Sequence, residues 1–172
     1  MAVLPIRIYP DPVLRVRCAE VESFDTELKK LAQSMLETMH AAPGIGLAAS
    51  QVGIERRLAV VDITAGESAE AIHVFVNPEI VESSGQDIDE EGCLSIPGIT
   101  EKVNRPGVVK VRAQDLDGKS FETEADGLFA RAICHEIDHL NGVLFVDRLV
   151  GLRKERVKRQ LRRMGRRQEV EA

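Results

Sequence analysis

The chain has 172 residues, the length of one domain with a single core that needs no disulfide staple. Its 23 Lys and Arg stand against 28 Asp and Glu, a formal net charge of −5, which favours neither a disordered chain nor a wholly basic nucleic-acid module. Five Phe, one Tyr and no Trp argue against a base-stacking platform and leave the packing to aliphatic residues.

The opening run from Met1 to Asp11 holds two prolines and breaks its apolar stretch early, so neither a secretory signal nor a membrane span is expected there. The closing Glu171-Ala172 pair offers no lipidation box. Cys18, Cys93 and Cys134 cannot all pair within one chain, which makes the cytoplasm the expected compartment.

Leu28, Leu31, Ala32, Met35, Leu36 and Met39 recur at helical spacing, with Asp25 as N-cap and Pro43-Gly44 as the stop. Gly44-Ile45-Gly46 reads as a sharp turn or a backbone pressed on a ligand; Gln51, the one long amide nearby, either caps a strand or binds substrate. The segment lacks the Lys-Ser/Thr ending of a phosphate loop. Val- and Ile-rich runs at 57–63, 72–80, 96–103 and 108–113 predict strands, and Asp117-Gly118 predicts a turn into another at 119–122. Hairpins of this kind imply an α+β fold with small antiparallel or mixed sheets. Thr123 and Asp126 have capping-box spacing ahead of a second, buried helix that Asn141-Gly142 ends. A basic C-terminal helix is expected over about 147–168, and no linker or repeat divides residues 1–172, which read as one catalytic domain.

The second helix carries His135-Glu136-Ile137-Asp138-His139, an H-E-x-x-H pattern. Histidines four apart share one helical face, so both imidazoles can reach one divalent ion with Glu136 beside its water; the bland reading is a satisfied core pair. A catalytic site needs a third ligand. Phe145 stands where a common extension has a third histidine, and Glu155 lies in a basic surface segment. Cys93, flanked by Gly92, is the better choice, with a small buried hydrophobe as its alternative. Cys134 faces away around the helix and is expected in the core or a pocket wall, and Cys18 reads as filler. On the histidine motif alone, a zinc aminopeptidase or endopeptidase and a metal-stabilised binding domain remain open.

Gly44-Ile45-Gly46-Leu47-Ala48-Ala49-Ser50-Gln51, Glu91-Gly92-Cys93-Leu94-Ser95 and His135-Glu136-Ile137-Asp138-His139-Leu140-Asn141-Gly142 together resemble the three signature segments of the peptide deformylase family. The resemblance runs from Tyr9-Pro10-Asp11 to the third helix and departs at Cys134, where the family often has glutamine. It implies small antiparallel sheets around a central metal-binding helix. It also implies a hydrolase that removes the formyl group from the N-terminal formyl-methionine of new polypeptides, releasing formate. Cys93, His135 and His139 would hold one divalent ion, Fe2+ with Zn2+ as runner-up. Glu136 would act as base and then acid, while Gln51 and the Leu94 N–H stabilise the oxyanion. Gly44, Ile45, Gly46, Gly92, Arg131 and Ala132 would form the methionine pocket, and Glu91 with Arg105 an ion pair supporting the Cys93 loop. Nine basic residues between Arg153 and Arg167, against Glu155 alone, suit phosphate backbones. Bacterial members of the family use this helix at the ribosome, so the resemblance implies ribosomal RNA as a partner, with a solvated basic helix as the alternative.

Overall fold

The computed structural model describes residues 2–171, so Met1 and Ala172, the outermost residues of the two ends considered above, lie outside the described residues. Helix α1 (Thr26–Ala41) starts where the Asp25 carboxylate accepts the Leu28 N–H at 3.0 Å, satisfying a donor that the first helical turn leaves open. Its apolar face, Leu28, Ala32, Met35 and Met39, is buried against Leu47, Leu58 and Val60.

One antiparallel sheet contains β1 (Gly46–Ala48), β2 (Leu58–Val61), β3 (His73–Ser84), β6 (Val108–Gln114) and β7 (Ser120–Asp126), in that spatial order. A second sheet is the hairpin of β4 (Asp87–Cys93) and β5 (Ile96–Arg105). Two of these strands depart from the sequence expectation. Gly44–Gly46, read as a sharp turn or a backbone pressed on a ligand, leads into β1, where Gly46 pairs with Val61 and the Ile45 carbonyl accepts the Asp62 N–H at 2.8 Å. Four of the seven residues of β4 are acidic, and its pairing with β5 comes from backbone bonds rather than an apolar face.

Helix α2 (Gly127–Leu140) packs against the first sheet, with Ala130, Ile133 and Ile137 among Val61, Phe75 and Val111. The expected capping box does not form: Thr123 sits in β7 opposite Val111, and Asp126 occupies the N-cap without a side-chain bond. The helix ends as expected at Asn141, and Gly142 follows with φ +76°. A Cβ there would stand 2.4 Å from the Arg15 carbonyl oxygen, so only glycine fits.

Helix α3 (Gly151–Glu171) begins at Gly151 rather than near Asp147. Phe145–Arg148 forms a separate 3-10 turn, closed by the Asp147 carboxylate accepting the Leu144 N–H at 2.9 Å, and Leu149 is extended. Val157 and Leu161 bury one side of α3 against Val103, Phe145 and Leu149. Among the described residues, no helix is long and apolar enough to cross a membrane.

Candidate metal centre and active site

Two elements meet at the site. On α2, His135 and His139 lie one turn apart, with their Nε2 atoms 3.1 Å from each other. The β4–β5 register shifts between Gly92 and Cys93, which brings the Cys93 Sγ to 3.3 Å from the His139 Nε2. The three donor atoms all lie within 4.8 Å of one another. Bond lengths to zinc of about 2.0–2.1 Å for nitrogen and 2.3 Å for sulfur give tetrahedral edges on the order of 3.3–3.6 Å, so the separations fit a single ion. Burial pushes the His135 imidazole down, but Glu136, Cys93 and Glu91 outweigh it and raise it well above its ordinary value.

His135 is oriented from behind. Its Nδ1 lies 2.6 Å from the Glu91 Oε1, and that carboxylate accepts from Arg105 Nη2 at 2.6 Å, Arg105 Nε at 3.0 Å and Arg131 Nη1 at 2.9 Å. Burial would push the Glu91 carboxyl up, yet the bonds from His135 and Arg105 bring it down to about 2. Arg105 continues to Asp138 at 2.6 Å, and Arg148 grips the same aspartate from outside through bonds of 2.6 and 3.0 Å. Asp138 and Arg148 were not singled out in the sequence. Asp138 lies within the histidine motif, but nothing in its spacing foretells Arg105 as its partner.

A cavity of about 360 Å³ opens beside the cluster. Gly44, Ile45, Gly46, Gln51, Glu91, Gly92, Cys93, Leu94, Arg131, Ala132, His135 and Glu136 all line it, together with Leu128 and Glu90 at positions the sequence did not mark. His139 is fully buried behind them; burial and the neighbouring His135 lower its imidazole well below the ordinary range. Gly46 lies so close to Glu136 that a Cβ would stand 3.0 Å from the carboxylate carbon, and a Cβ on Gly44 would meet Leu94 at 2.8 Å. The two glycines thus let β1 and its approach press against the catalytic candidates. Glu136 Oε2 is buried without a hydrogen-bond partner, and burial raises the carboxyl to about 7.

The Gln51 side chain is fixed at both ends. Its Oε1 accepts the Ala48 N–H at 3.0 Å, while Nε2 donates to Ser95 Oγ at 3.1 Å and approaches Cys93 Sγ at 3.6 Å. Ser95, fully buried, is a supporting residue that the sequence reading missed. The two other positions weighed for a third ligand are otherwise engaged. Glu155 pairs with Lys158 on α3, and the ring of Phe145 stacks on His135 with centroids 6.1 Å apart. Cys134 is buried among Ile133, Ile137 and Val61, which pushes its thiol up to about 11, and Cys18 packs with Ala48, Ala59 and Leu140. The Arg131 guanidinium is occupied by Glu91 and by the carbonyls of Val103 at 2.9 Å and Asp87 at 2.7 Å.

Known proteins share this arrangement of segments. The polypeptide deformylase family profile matches residues 3–155. A peptide deformylase of Chromobacterium violaceum is 53% identical over 163 residues, covering 95% of this chain and 96% of that protein. One from Clostridium botulinum is 56% identical over 148 residues, covering 86% and 97%. Among solved structures, a peptide deformylase from Legionella pneumophila superposes with a TM-score of 0.88 at 45% identity, covering 98% of each chain. A plant peptide deformylase reaches 0.94 at 38% identity, covering 98% of this chain and 92% of its own. With the family matched over most of its length and relatives this close across nearly all of it, the chain belongs to the peptide deformylase family.

Proposed function

We propose that this chain is a metal-dependent amide hydrolase that removes the formyl group from the N-terminal formyl-methionine of newly made polypeptides and releases formate. The reading is carried by the convergence of Cys93 Sγ, His135 Nε2 and His139 Nε2 beside the unpartnered oxygen of Glu136 at one cavity. Cys93, His135 and His139 would hold one divalent ion, ferrous iron or zinc, since one thiolate with two imidazoles suits either. When bound, such an ion makes water a stronger acid and polarises a carbonyl oxygen.

Glu136 takes the proton of the attacking water and later delivers it to the departing amine, serving as base and then as acid. The Leu94 N–H and the Gln51 amide donate to the oxygen that becomes negative as the formyl carbon turns tetrahedral; losing one such donor typically costs ~3 kcal/mol. Gln51 is held ready for this by Ala48 and Ser95. The methionine side chain lies among Ile45, Gly46, Gly92 and Ala132, with the aliphatic part of Arg131 on the wall. The tight Gly44–Gly46 backbone leaves room for a formyl hydrogen and little more, so acetyl-methionyl peptides should be poor substrates. Formate release from a formyl-methionyl peptide, measured for wild type and Glu136→Ala with metal content on both, decides the reading. Activity lost in the variant with metal retained supports it; a metal-loaded wild type that releases no formate overturns it, and undiminished release by the variant removes Glu136 from the chemistry.

The single domain works in the cytoplasm, where formyl-methionine leaves the ribosome, and α3 lies against ribosomal RNA. Its basic run supplies the charge for phosphate contacts. Truncation before Arg153 would be a poor test because it also strips Val157 and Leu161 from the core. Reversing Arg162 and Arg163, both exposed, leaves that packing intact. Ribosome binding that survives the double reversal, or that does not weaken with salt, rejects the contact.

A further inference from the structure

Arg131 stands one helical turn before His135, and the two side chains converge on one carboxylate. The guanidinium Nη1 lies 2.9 Å from Glu91 Oε2 while the imidazole Nδ1 lies 2.6 Å from Glu91 Oε1. The same guanidinium reaches both strands of the hairpin, through Val103 O on β5 and Asp87 O on β4. Its side chain is 4% exposed and that of Glu91 6%. Arg131 therefore staples the helix that bears the imidazoles to the hairpin that bears the sulfur. Arg105 also grips Glu91, but it stands on β5 and reaches the helix through Asp138.

We propose that Arg131 is a positioning residue of the metal centre: by holding Glu91 Oε2 it keeps Oε1 aimed at His135 Nδ1, and so keeps His135 Nε2 and Cys93 Sγ directed at one ion. This rests on the metal-hydrolase reading. A histidine that donates Nδ1–H to a carboxylate presents its Nε2 lone pair in a fixed direction, and outer partners of this kind are worth about 10–100-fold in metal affinity or activity. Three acceptors already occupy the guanidinium, which assigns the polar end of Arg131 to the protein rather than to the peptide substrate. Without it, a buried carboxylate oxygen loses a charged donor and the hairpin loses the tie to α2 that spans both of its strands, keeping those of Glu91 to His135 and Arg105 to Asp138.

The test compares wild type, Arg131→Met and Arg131→Lys, each loaded with zinc or cobalt(II). Metal release to a chelator, the cobalt(II) absorption spectrum, and kcat and KM for a formyl-methionyl peptide are read on protein shown to be folded by circular dichroism. Arg131→Met should release metal about 10–100-fold faster and shift the cobalt spectrum, with kcat falling at near-constant KM. Arg131→Lys, keeping the charge and fewer donors, should fall between, and it decides the matter if the Met variant does not fold. In a Glu91→Gln background, Arg131→Met should add little, because the arginine acts through that carboxylate. Unchanged metal release and spectrum in folded Arg131→Met or Arg131→Lys would overturn the proposal. So would a rise in KM at constant kcat, the mark of a substrate ligand, or full additivity with Glu91→Gln. Metal retention is read without substrate, so a wild-type protein that binds metal tightly but yields no formate would fail the hydrolase reading alone.

Discussion

Helices α2 and α3 both carry dense charge, and they place it in opposite settings. On α2, Arg131, Glu136 and Asp138 are 3%, 2% and 7% exposed, and the arginine and the aspartate each have an oppositely charged partner at hydrogen-bond distance. Among the α3 side chains described, Val157 and Leu161 alone are buried, while basic residues crowd the solvent side. Arg153 and Arg156 meet the Glu101 carboxylate of β5, and Lys158 meets Glu155 on its own helix. A buried charge must be matched atom by atom because desolvation is costly, whereas exposed charges of one sign add into a long-ranged field that salt screens. The charges of α2 therefore specify geometry, and those of α3 specify attraction.

The largest expected effect tests whether the charge of α2 does chemistry. Glu136→Gln should lower kcat by about 10²–10⁴-fold with metal content unchanged, measured by formate release and elemental analysis; normal turnover would reduce this carboxyl to a packing group. Next, Arg105→Ala takes a buried cation from Glu91 and Asp138, which keep Arg131 and Arg148 as partners, and should cost about 1–3 kcal/mol in urea unfolding. Arg162→Glu on α3 should stay within about 0.5 kcal/mol. Equal losses at the two sites would erase the contrast. A third measurement asks where α3 gains its hold. Leu161→Ala should cost about 2–5 kcal/mol, whereas Leu152→Ala, at a residue 89% exposed, should change stability by less than about 0.5 kcal/mol.

The smallest effect is on pH. The Lys102 N–H and Arg156 hold the Glu101 carboxyl below its ordinary value. A depressed carboxylate adds stability in full above its unfolded value of about 4.3, and the gain disappears as pH falls through the folded value. Methyl resonances of Val157 and Leu161 should therefore shift as pH drops below about 4.3. Glu101→Gln should remove that dependence, and an identical titration in the variant would assign it elsewhere.

Much of this was legible in the sequence where local rules met no competitor. Asp25 and the apolar stripe behind it predict α1 because cap and periodicity agree, and the period of α2 carries His135 and His139 onto one face. β4 escaped notice because Ile88 is its one large apolar side chain and is itself 59% exposed; backbone pairing with β5 makes the strand. β1 was hidden for a related reason, since its glycine suits a turn as well as close passage beside Glu136. The Thr123–Asp126 spacing misled because strand pairing with Val111 claims Thr123. Arg131 was expected on the pocket wall, and its position lines the cavity, but the acceptors that engage its guanidinium come from residues 28 to 44 positions away. No local pattern records such a meeting.

The seating of α3 has one more consequence. Val157 and Leu161 share a packed cluster with Ile96, Val103 and Phe145, against which Cys93 itself leans. The cationic helix is thus a rigid handle rather than a leash. A large anionic body that grasped it would also dictate which way the mouth of the cavity points, so the heading of an incoming chain end would be settled before any contact with the sulfur and imidazoles.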